Sequence, residues 1–282
     1  MNYRHAYHAG NFADVLKHAV ACRIQAYMAA KAKPLLVLDT HAGAGAYDLT
    51  GPEADRTGEY RDGIARLLDL DPVPPLLDPY LERVRRLGGA RNGALPAYPG
   101  SPWLLADGLR DGDRLVACEL EPTAHQDLAH LMRRRANQPG TVKVRADDGW
   151  AALTSFLPPP ERRALVLVDP PYEAADDFPR LAERFLKAHR RFPTGVFVLW
   201  YPVKQRSRVD ALHATLRNSD PKNLLIAELG LYPGESDSRL NGCGLVIANP
   251  PYTLADELTE TLPLLNTRLT KTTTGTHHLI TL

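Results

Sequence analysis

The sequence predicts an α/β fold: a seven-stranded sheet with helices on both faces and a small helical insertion after the first strand. Seven short apolar runs, rich in branched residues, are typical of strands that are buried in a sheet. Helix-like segments separate these runs, and this alternation indicates helices packed on both faces. The seven runs cover residues 35–39, 115–119, 142–145, 164–168, 195–201, 224–229 and 244–248.

The chain before the first strand is predicted to be helical. From Asn11, a residue suited to an N-cap, to about Lys31, apolar residues recur near helical spacing. Lys17 and His18 lie outside this apolar pattern, and they are either solvated helix surface or part of a site. Residues 1–9 concentrate aromatic, basic and imidazole side chains, in which a disordered tail is usually poor.

A glycine-rich turn, Asp39-Thr-His41-Ala-Gly43-Ala-Gly45, follows the first strand. Glycines at alternate positions allow the backbone to approach a ligand closely. The next acid at a strand end is Glu119, 119 − 39 = 80 residues later, whereas a simple nucleotide-binding unit has it ~20 residues on. We therefore interpret residues 48–96 as an inserted helical subdomain, and residues 1–47 with 97–282 as the main domain.

The fourth strand, residues 164–168, ends at Asp169-Pro170-Pro171-Tyr172. Two prolines in succession remove two N–H donors, so the strand cannot continue through them. Open α/β sheets bind their ligands at this end of the strands. The Asp169 carboxylate and the Pro170 carbonyl can accept both hydrogens of an exocyclic amine while Tyr172 stacks on a flat base. The same residues can also form an ordinary loop exit.

Acids at the ends of the first four strands suit S-adenosylmethionine. In this interpretation the glycine turn takes the methionine part, Glu119 accepts the ribose hydroxyls and Asp148 accepts the adenine amine. A dinucleotide site usually has a third glycine, in G-x-G-x-x-G, and Asp48 stands there instead. A carboxylate near phosphates is unfavourable, so the pattern favours the methyl donor over NAD.

Composition limits the class of protein. With 34 basic against 33 acidic residues and a net charge of +1, any nucleic acid must be bound by local basic patches. No apolar run approaches the ~20 residues that cross a bilayer, and the N-terminus lacks a signal-peptide pattern. Three widely separated cysteines suit a reducing cytoplasm. Basic clusters, which are usually solvated helix faces, occur at residues 133–135, 162–163, 190–191 and 206–208.

Taken together, these motifs resemble the amino-methyltransferases of nucleic acids, in which D-x-F-x-G-x-G precedes [DN]-P-P-[YF]; His41 replaces the phenylalanine. Over most of its length the chain resembles the RlmJ family, which methylates N6 of an adenine in 23S ribosomal RNA. The matching segments are Tyr3-Arg-His5, His8-Ala-Gly-Asn11, Asp14-Val-Leu-Lys17-His18, Asp39 to Gly45, Pro99-Gly-Ser101-Pro102 and Asp169 to Glu173.

The resemblance implies a Rossmann-like class I methyltransferase sheet with the helical insertion. It also implies methylation of adenine 2030 in 23S ribosomal RNA before ribosome assembly, by a cytoplasmic monomer without metal or membrane. Asp169 matches the catalytic acid and Tyr3 a residue that contacts RNA, while His5, Lys17 and Tyr172 complete the substrate pocket. Residues matching the family's contacts to S-adenosylmethionine are His18, His41, Ser101, Glu119, Asp148, Gly149 and Asp169. Ser101 can instead be the N-cap of a helix whose first residue is Pro102.

A second motif, Asn249-Pro250-Pro251-Tyr252, competes with the Asp169 loop. It follows the seventh strand, far along the sheet from the glycine turn, so topology favours Asp169. Asn249 to Tyr252 either shape the substrate side of the cleft or merely end a strand. Alternative functions are a DNA adenine-N6 methyltransferase, a non-catalytic RNA-binding assembly protein and a protein glutamine methyltransferase.

Overall fold

A computed structural model describes residues 5–91, 94–219, 221–236, 239–270 and 274–282. Its ten strands are β1 (Leu36–Asp39), β2 (Ala46–Asp48), β3 (Ala97–Pro99), β4 (Arg114–Cys118), β5 (Thr141–Arg145), β6 (Ala164–Val168), β7 (Val196–Val203), β8 (Leu224–Gly230), β9 (Gly242–Ala248) and β10 (Thr276–Thr281). Tyr3 lies outside these residues, and the side chain of His5 lies outside the description as well.

Eight of these described strands form the central sheet, in the order β10-β8-β9-β7-β6-β1-β4-β5. Strands β5, β4, β1, β6 and β7 pair in parallel, whereas β9 pairs antiparallel with both β7 and β8, and β10 pairs antiparallel with β8. The predicted α/β class is confirmed, but the expected seven strands are one too few. Strand β10 was missed because this edge strand reads Thr-His-His-Leu-Ile-Thr and has no continuous apolar run.

The helices are α1 (Phe12–Ala29), α2 (Pro52–Thr57), α3 (Glu59–Asp62), α4 (Asp78–Leu87), α5 (Ser101–Asp107), α6 (Pro122–Arg133), α7 (Gly149–Ser155), α8 (Asp177–Arg191), α9 (Arg206–Asn218) and α10 (Leu254–Leu269). Single 3-10 turns lie at His5–Tyr7 and Ile64–Leu67. No helix in the described part of the chain is long and apolar enough to cross a membrane.

Each face of the sheet carries its own apolar core. In β1, Val37 belongs to the core that includes side chains of α1, α4, α5 and α10, while Leu36 and Leu38 belong to the core that includes side chains of α7, α8 and α9. Successive side chains of a strand point to opposite faces, so this alternation follows from the pleat. With helices on both faces every residue of β6 is buried, as its apolar sequence predicts.

Helix α1 is buried around most of its circumference because the inserted segment covers the side that does not face the sheet. Its start is capped by the Asn11 side chain, which accepts hydrogen bonds from the amides of Ala13 and Asp14. Lys17 and His18 are only 4% and 2% exposed. They are therefore not solvated surface residues, and charge buried at this depth requires a partner.

The segment between β2 and β3 contains α2, α3 and α4, and the two strands close its base as a small antiparallel ribbon. Its apolar side chains, among them Ile64, Leu67 and Tyr80, belong to the same core as α1. The domain boundaries at residues 48 and 96 remain a prediction, since this segment shares its core with the main domain.

Candidate active site

The carboxyl ends of the parallel strands open into a cavity of about 1380 Å³. Such strand ends meet at one edge of the sheet, where open α/β folds bind ligands. The cavity brings together nine residues predicted from the sequence: Lys17, His18, His41, Ser101, Glu119, Asp148, Gly149, Asp169 and Tyr172. Their roles remain predictions, but their convergence from six segments of the chain makes this the candidate active site.

Lys17 crosses from α1 to the loop after β6. Its Nζ donates to Asp169 Oδ2 at 2.6 Å and to Asp14 Oδ1 at 2.8 Å. Burial alone would lower the pKa of Lys17, but the two carboxylates outweigh burial and hold that pKa well above its usual value. Lys17 is therefore an ammonium that orients the Asp169 carboxylate.

The loop after β6 is braced by aromatic contacts. Tyr172 has a φ of +54°, and its hydroxyl donates to the carbonyl of Trp200 at 2.6 Å. Its ring packs against Phe178 at 4.9 Å and Trp200 at 5.6 Å between centroids. These contacts hold the Tyr172 ring at the cavity wall; stacking on a base stays a prediction.

Ser101 binds the acid that ends β1. Its Oγ donates to Asp39 Oδ2 at 2.6 Å, while the N-cap of α5 is Gly100 and no side chain caps that helix. The alternative that Ser101 is an N-cap is therefore wrong, because its hydroxyl is committed to Asp39. Burial raises the pKa of Asp39 to about 7, and Asp39 Oδ1 is buried with no hydrogen-bond partner among the described residues.

The glycine turn closes on Glu119. Oε2 of Glu119 accepts from the Gly43 amide at 2.7 Å, and Oε1 accepts from the Glu121 amide at 2.7 Å. Gly43 and Gly45 have φ values of +65° and +84°, which residues with a side chain rarely adopt. A Cβ atom on Gly43 would also lie only 2.4 Å from the Tyr47 hydroxyl. This turn therefore requires its glycines.

The two predicted histidines that line the cavity lie beside hydroxyl groups. Burial lowers the pKa of His41 to about 4, so the ring is neutral near neutral pH; its Nδ1 lies 2.8 Å from Thr40 Oγ1. His18 Nδ1 lies 2.7 Å from the Tyr98 hydroxyl, inside the core. Tyr98 was not predicted as a site residue, because no sequence pattern links it to His18. The two side chains meet only in the folded protein.

Asp148 and Gly149 begin α7 beside the glycine turn. Asp148 Oδ1 accepts from the Trp150 amide at 2.9 Å, which makes Asp148 the N-cap of α7. A Cβ on Gly149 would lie 2.0 Å from the Thr40 carbonyl oxygen, so only glycine fits this contact. Asp148 is exposed to the cavity, and its second oxygen can serve a ligand.

The residues fit S-adenosylmethionine. Asp39 Oδ1, a buried acceptor without a partner in the described structure, suits a cationic amino group. The glycines keep the turn narrow enough for close approach, while Glu119 and Asp148 add acceptors suited to hydroxyls and an amine. No cluster of potential metal ligands occurs among the described residues.

Asp14 was not among the predicted site residues, although it begins the motif Asp14-Val-Leu-Lys17-His18. Asp14 lies three residues before Lys17 on α1 and shares that ammonium with Asp169. Helical spacing of three brings side chains together, so the Asp-x-x-Lys pattern was the available signal. Trp200, whose ring lies 5.8 Å from Lys17 Nζ, carried no such signal.

Asn249 lies away from the cavity. Strand β9 runs antiparallel to β7, with Ala248 opposite Phe197, so β9 ends where β7 begins. Asn249 Nδ2 donates to the carbonyls of Pro193 and Gly195, at 2.8 Å each. The alternative that this motif shapes the substrate side of the cleft is therefore wrong. The motif follows β9 at the amino-terminal ends of the parallel strands, whereas the cavity lies at their carboxyl ends.

Comparison with known proteins identifies relatives over nearly the whole chain. A family model described as "Ribosomal RNA large subunit methyltransferase D, RlmJ" matches residues 32–280. The chain is 38% identical over 275 residues to ribosomal RNA large subunit methyltransferase J of Escherichia coli K12, covering 98% of this chain and 96% of the relative. The protein of that name from Haemophilus influenzae Rd is 36% identical over 277 residues, with the same coverage.

A crystal structure shares the fold. Protein LPL1258 from Legionella pneumophila Philadelphia 1 superposes with a TM-score of 0.87 at 36% sequence identity, covering 97% of this chain and 98% of that one.

Proposed function

The chain belongs to the RlmJ family of ribosomal RNA large subunit methyltransferases, and from that membership we propose that it methylates N6 of an adenine in 23S ribosomal RNA. It is an S-adenosylmethionine-dependent ribosomal RNA methyltransferase with a Rossmann-like sheet. The observation that carries the proposal is the Lys17–Asp169 ion pair at the carboxyl end of β6, beside the glycine turn.

The chemistry of the target amine explains why this pair is needed. The lone pair of an adenine N6 is delocalised into the ring, so the nitrogen is a weak nucleophile. Lys17 occupies Asp169 Oδ2 and leaves Oδ1, which has no hydrogen-bond partner among the described residues, for the amine. Asp169 Oδ1 and the Pro170 carbonyl accept hydrogen bonds from that amine. These bonds favour a pyramidal nitrogen whose lone pair is directed toward the methyl group to be transferred.

Orientation and charge then lower the barrier. The bound cofactor supplies an electrophilic methyl group. The two acceptors fix the line of attack and stabilise the positive charge that grows on the nitrogen. Asp169, or water beyond it, takes the proton, and the retained charge of Lys17 keeps the carboxylate in place throughout.

The other assignments complete this proposal. His18, His41, Ser101, Glu119, Asp148, Gly149 and Asp169 bind the cofactor, and Tyr3, His5, Lys17 and Tyr172 bind the substrate. The adenine must leave its stack to reach Asp169, so the substrate is an unstacked or flipped nucleotide. We further propose that the protein acts in the cytoplasm, as a monomer, on adenine 2030 of free 23S ribosomal RNA.

Labelled S-adenosylmethionine tests the proposal. The protein is incubated with protein-free 23S ribosomal RNA lacking the modification, with assembled large subunits, and with duplex DNA. We expect label on the free RNA, recovered as N6-methyladenosine, and none after Asp169→Ala. Asn249→Ala is the matched control, because it alters the second motif, which lies at the other end of the strands from the cavity. We expect this variant to retain activity.

Other outcomes discriminate between the alternatives. Label on duplex DNA alone makes the protein a DNA methyltransferase, and a preference for assembled subunits contradicts action before assembly. RNA binding without any transfer of label favours an assembly protein. Full activity of Asp169→Ala would contradict the proposed catalytic residue.

A further inference from the structure

Part of the cavity is lined by residues that the proposed chemistry does not use. They come from the junction of β7 and α9, which comprises residues 204–208, and from the loop between β8 and β9. The side chains concerned are Lys204, Gln205, Arg208, Leu231, Tyr232, Arg239 and Leu240. An RNA substrate extends beyond its target base, so this part of the lining is available to the neighbouring nucleotides.

Three basic residues at the β7–α9 junction, two of them at the start of α9, differ in their partners. Arg206 donates to Glu228 Oε2 at 2.7 Å and to Asp210 Oδ1 at 2.8 Å, so its charge is compensated. Lys204 and Arg208, by contrast, have no carboxylate partner among the described residues. In a chain whose net charge is only +1, two uncompensated cations at one cavity are the kind of local patch that a polyanion requires.

Contacts between the two loops make them one surface. The Arg206 amide donates to Glu235 Oε1 at 2.8 Å, and the Ser236 amide donates to the Lys204 carbonyl at 3.2 Å. Arg206 in turn is anchored to the buried Glu228 of β8, which also accepts from Tyr201 at 2.9 Å. The cations of the β7–α9 junction and the side chains of the β8–β9 loop are therefore held in fixed positions relative to each other.

The β8–β9 loop pairs a guanidinium group with an aromatic ring. The Arg239 guanidinium lies 4.3 Å from the centre of the Tyr232 ring. Arg239 Nε donates to Asn241 Oδ1 at 2.9 Å, and the buried Asn241 donates to the Gly234 carbonyl at 2.9 Å. Both planar groups are thus oriented before any ligand arrives, which lowers the entropy cost of binding.

We propose that Lys204, Arg208, Tyr232 and Arg239 form an RNA shelf that binds the single-stranded nucleotides next to the target adenine. Lys204 and Arg208 hold the phosphates, and the Tyr232–Arg239 pair stacks on a neighbouring base. This combination of cations and an aromatic platform is how proteins grip single strands without reading their sequence. The inference rests on the proposed function, because a flipped adenine needs its flanking strand held.

The inserted segment lines another part of the cavity with acidic rather than basic side chains. Helices α2 and α3 of the inserted segment contribute Glu53, Glu59 and Asp62 to the same cavity. Glu59 and Asp62 are paired with His8 and Arg66, and the described part of the insertion adds no basic side chain to the cavity lining, so the phosphates are held by the RNA shelf.

The first test compares two double variants of equal charge. Lys204→Gln/Arg208→Gln alters the RNA shelf; Arg190→Gln/Arg191→Gln is the control. Arg190 and Arg191 are exposed at the end of α8, at the other edge of the sheet, and have no ion-pair partner in the described part of the chain. Binding of protein-free 23S ribosomal RNA is measured against salt concentration, together with the methyl-transfer kinetics.

We expect the RNA-shelf variant to lower the slope of log K against log salt by about 1.4, since each single-strand phosphate contact contributes about 0.7. The KM for RNA should rise about 10-fold, while kcat at saturating RNA and the affinity for S-adenosylmethionine stay at wild-type values. The control double variant should match the wild type in every measurement. A slope unchanged in the RNA-shelf variant, or lowered equally in the control, would overturn the role of the cations.

The second test separates stacking from charge. Tyr232→Leu removes the ring, whereas Tyr232→Phe keeps it. Base stacking is worth about 1–3 kcal/mol, so Tyr232→Leu should raise the KM for RNA at least about 5-fold with an unchanged salt slope. Tyr232→Phe should restore the wild-type KM. A wild-type KM for Tyr232→Leu, or the same defect in Tyr232→Phe, would overturn the stacking role.

Failure of the RNA shelf is distinguishable from failure of the proposed function. If the wild-type protein methylates ribosomal RNA and the RNA-shelf variants behave like it, only the RNA shelf is wrong. If the wild-type protein transfers no label to RNA, the proposed function itself is wrong.

Discussion

Lys17 and Asp169 lie 152 positions apart in the chain, and Lys17 Nζ donates to Asp169 Oδ2 at 2.6 Å. The ammonium is only 5% exposed, and it also serves Asp14. Each group of this triad depends on the others, because a buried charge without a partner is strongly unfavourable.

Replacing Lys17 by methionine should therefore cost stability as well as activity. Lys17→Met leaves the buried Asp14 and the partly buried Asp169 without their shared cation, and loss of one partner of a buried pair costs about 3–5 kcal/mol. We expect a loss of that size in urea denaturation, and at least about 100-fold slower single-turnover methyl transfer because Asp169 loses its orientation.

Arg23→Met is the matched control, on the same helix. Arg23 pairs with Glu257 but is 24% exposed, and partly solvated pairs contribute about 1 kcal/mol or less. Lys17→Met/Asp14→Asn should recover part of the stability without the activity. Equal losses in Lys17→Met and Arg23→Met would contradict the buried triad.

Asp39 should make stability depend on pH. Its folded pKa is raised by burial from 3.8 to about 7. Between these two pH values Asp39 is ionised in the unfolded chain but protonated in the folded protein. The free energy of unfolding therefore falls as pH rises from about 4 to about 7, and it levels off above that range. The contribution is at most roughly 4 kcal/mol.

Asp39→Asn keeps an acceptor for Ser101 and removes this titration. Melting temperatures measured at about pH 4.5 and about pH 8 should show the variant gaining on the wild type at the higher pH. Asp48→Asn is the control: hydrogen bonds from Thr50 lower the pKa of Asp48 below 3.8, so its effect on stability should be the same at both pH values. A difference between Asp39→Asn and wild type that does not vary with pH would refute the prediction.

The N-terminal segment is tied to the insertion through Glu59. His8 Nδ1 lies 3.0 Å from each Glu59 oxygen, and Asn11 Nδ2 donates to Oε2 at 3.0 Å. The hydrogen bond to Glu59 raises the pKa of His8 against the effect of burial. This stabilisation is complete below the unfolded pKa of 6.5 and is lost as pH rises through the folded value.

Glu59→Gln should lower the pKa of His8, measured by NMR titration of its ring. It should also reduce stability more at about pH 5.5 than at about pH 8.5. Glu82→Gln, on the exposed side of α4, serves as the control and should leave the titration of His8 unchanged. An unaltered titration in Glu59→Gln would show that the pair does not persist in solution.

Asn249 should matter for stability and not for catalysis. Asn249→Ala removes two hydrogen bonds and places a Cβ residue at a φ of +53°, for a combined cost of about 1–3 kcal/mol. Asn249→Gly should cost less, because glycine tolerates that φ. Urea denaturation measures the stabilities, and the rate of methyl transfer per folded molecule should equal that of the wild type in both variants. A lower rate in Asn249→Gly would indicate that the second motif takes part in catalysis.

Local chemistry allowed much of the site to be predicted. Two prolines after Asp169 end a strand wherever they occur, and alternating glycines permit φ values that other residues avoid. The acids and turns that end β1, β4 and β6 were therefore predictable, as was their meeting at one edge, since parallel strands share their direction. Strand β10 escaped prediction because its pairing with β8 compensates for a weak apolar pattern.

The sequence by itself determined which residues end the strands and which helix begins the chain, because hydrogen-bond donors, φ preferences and apolar periodicity act over a few residues. Only the tertiary structure decided which of two similar motifs is at the cavity. The antiparallel direction of β9 carries Asn249 to the far edge, and packing of α1 brings Lys17 to Asp169. Strand direction and helix docking depend on contacts across the whole core, and no local pattern encodes them.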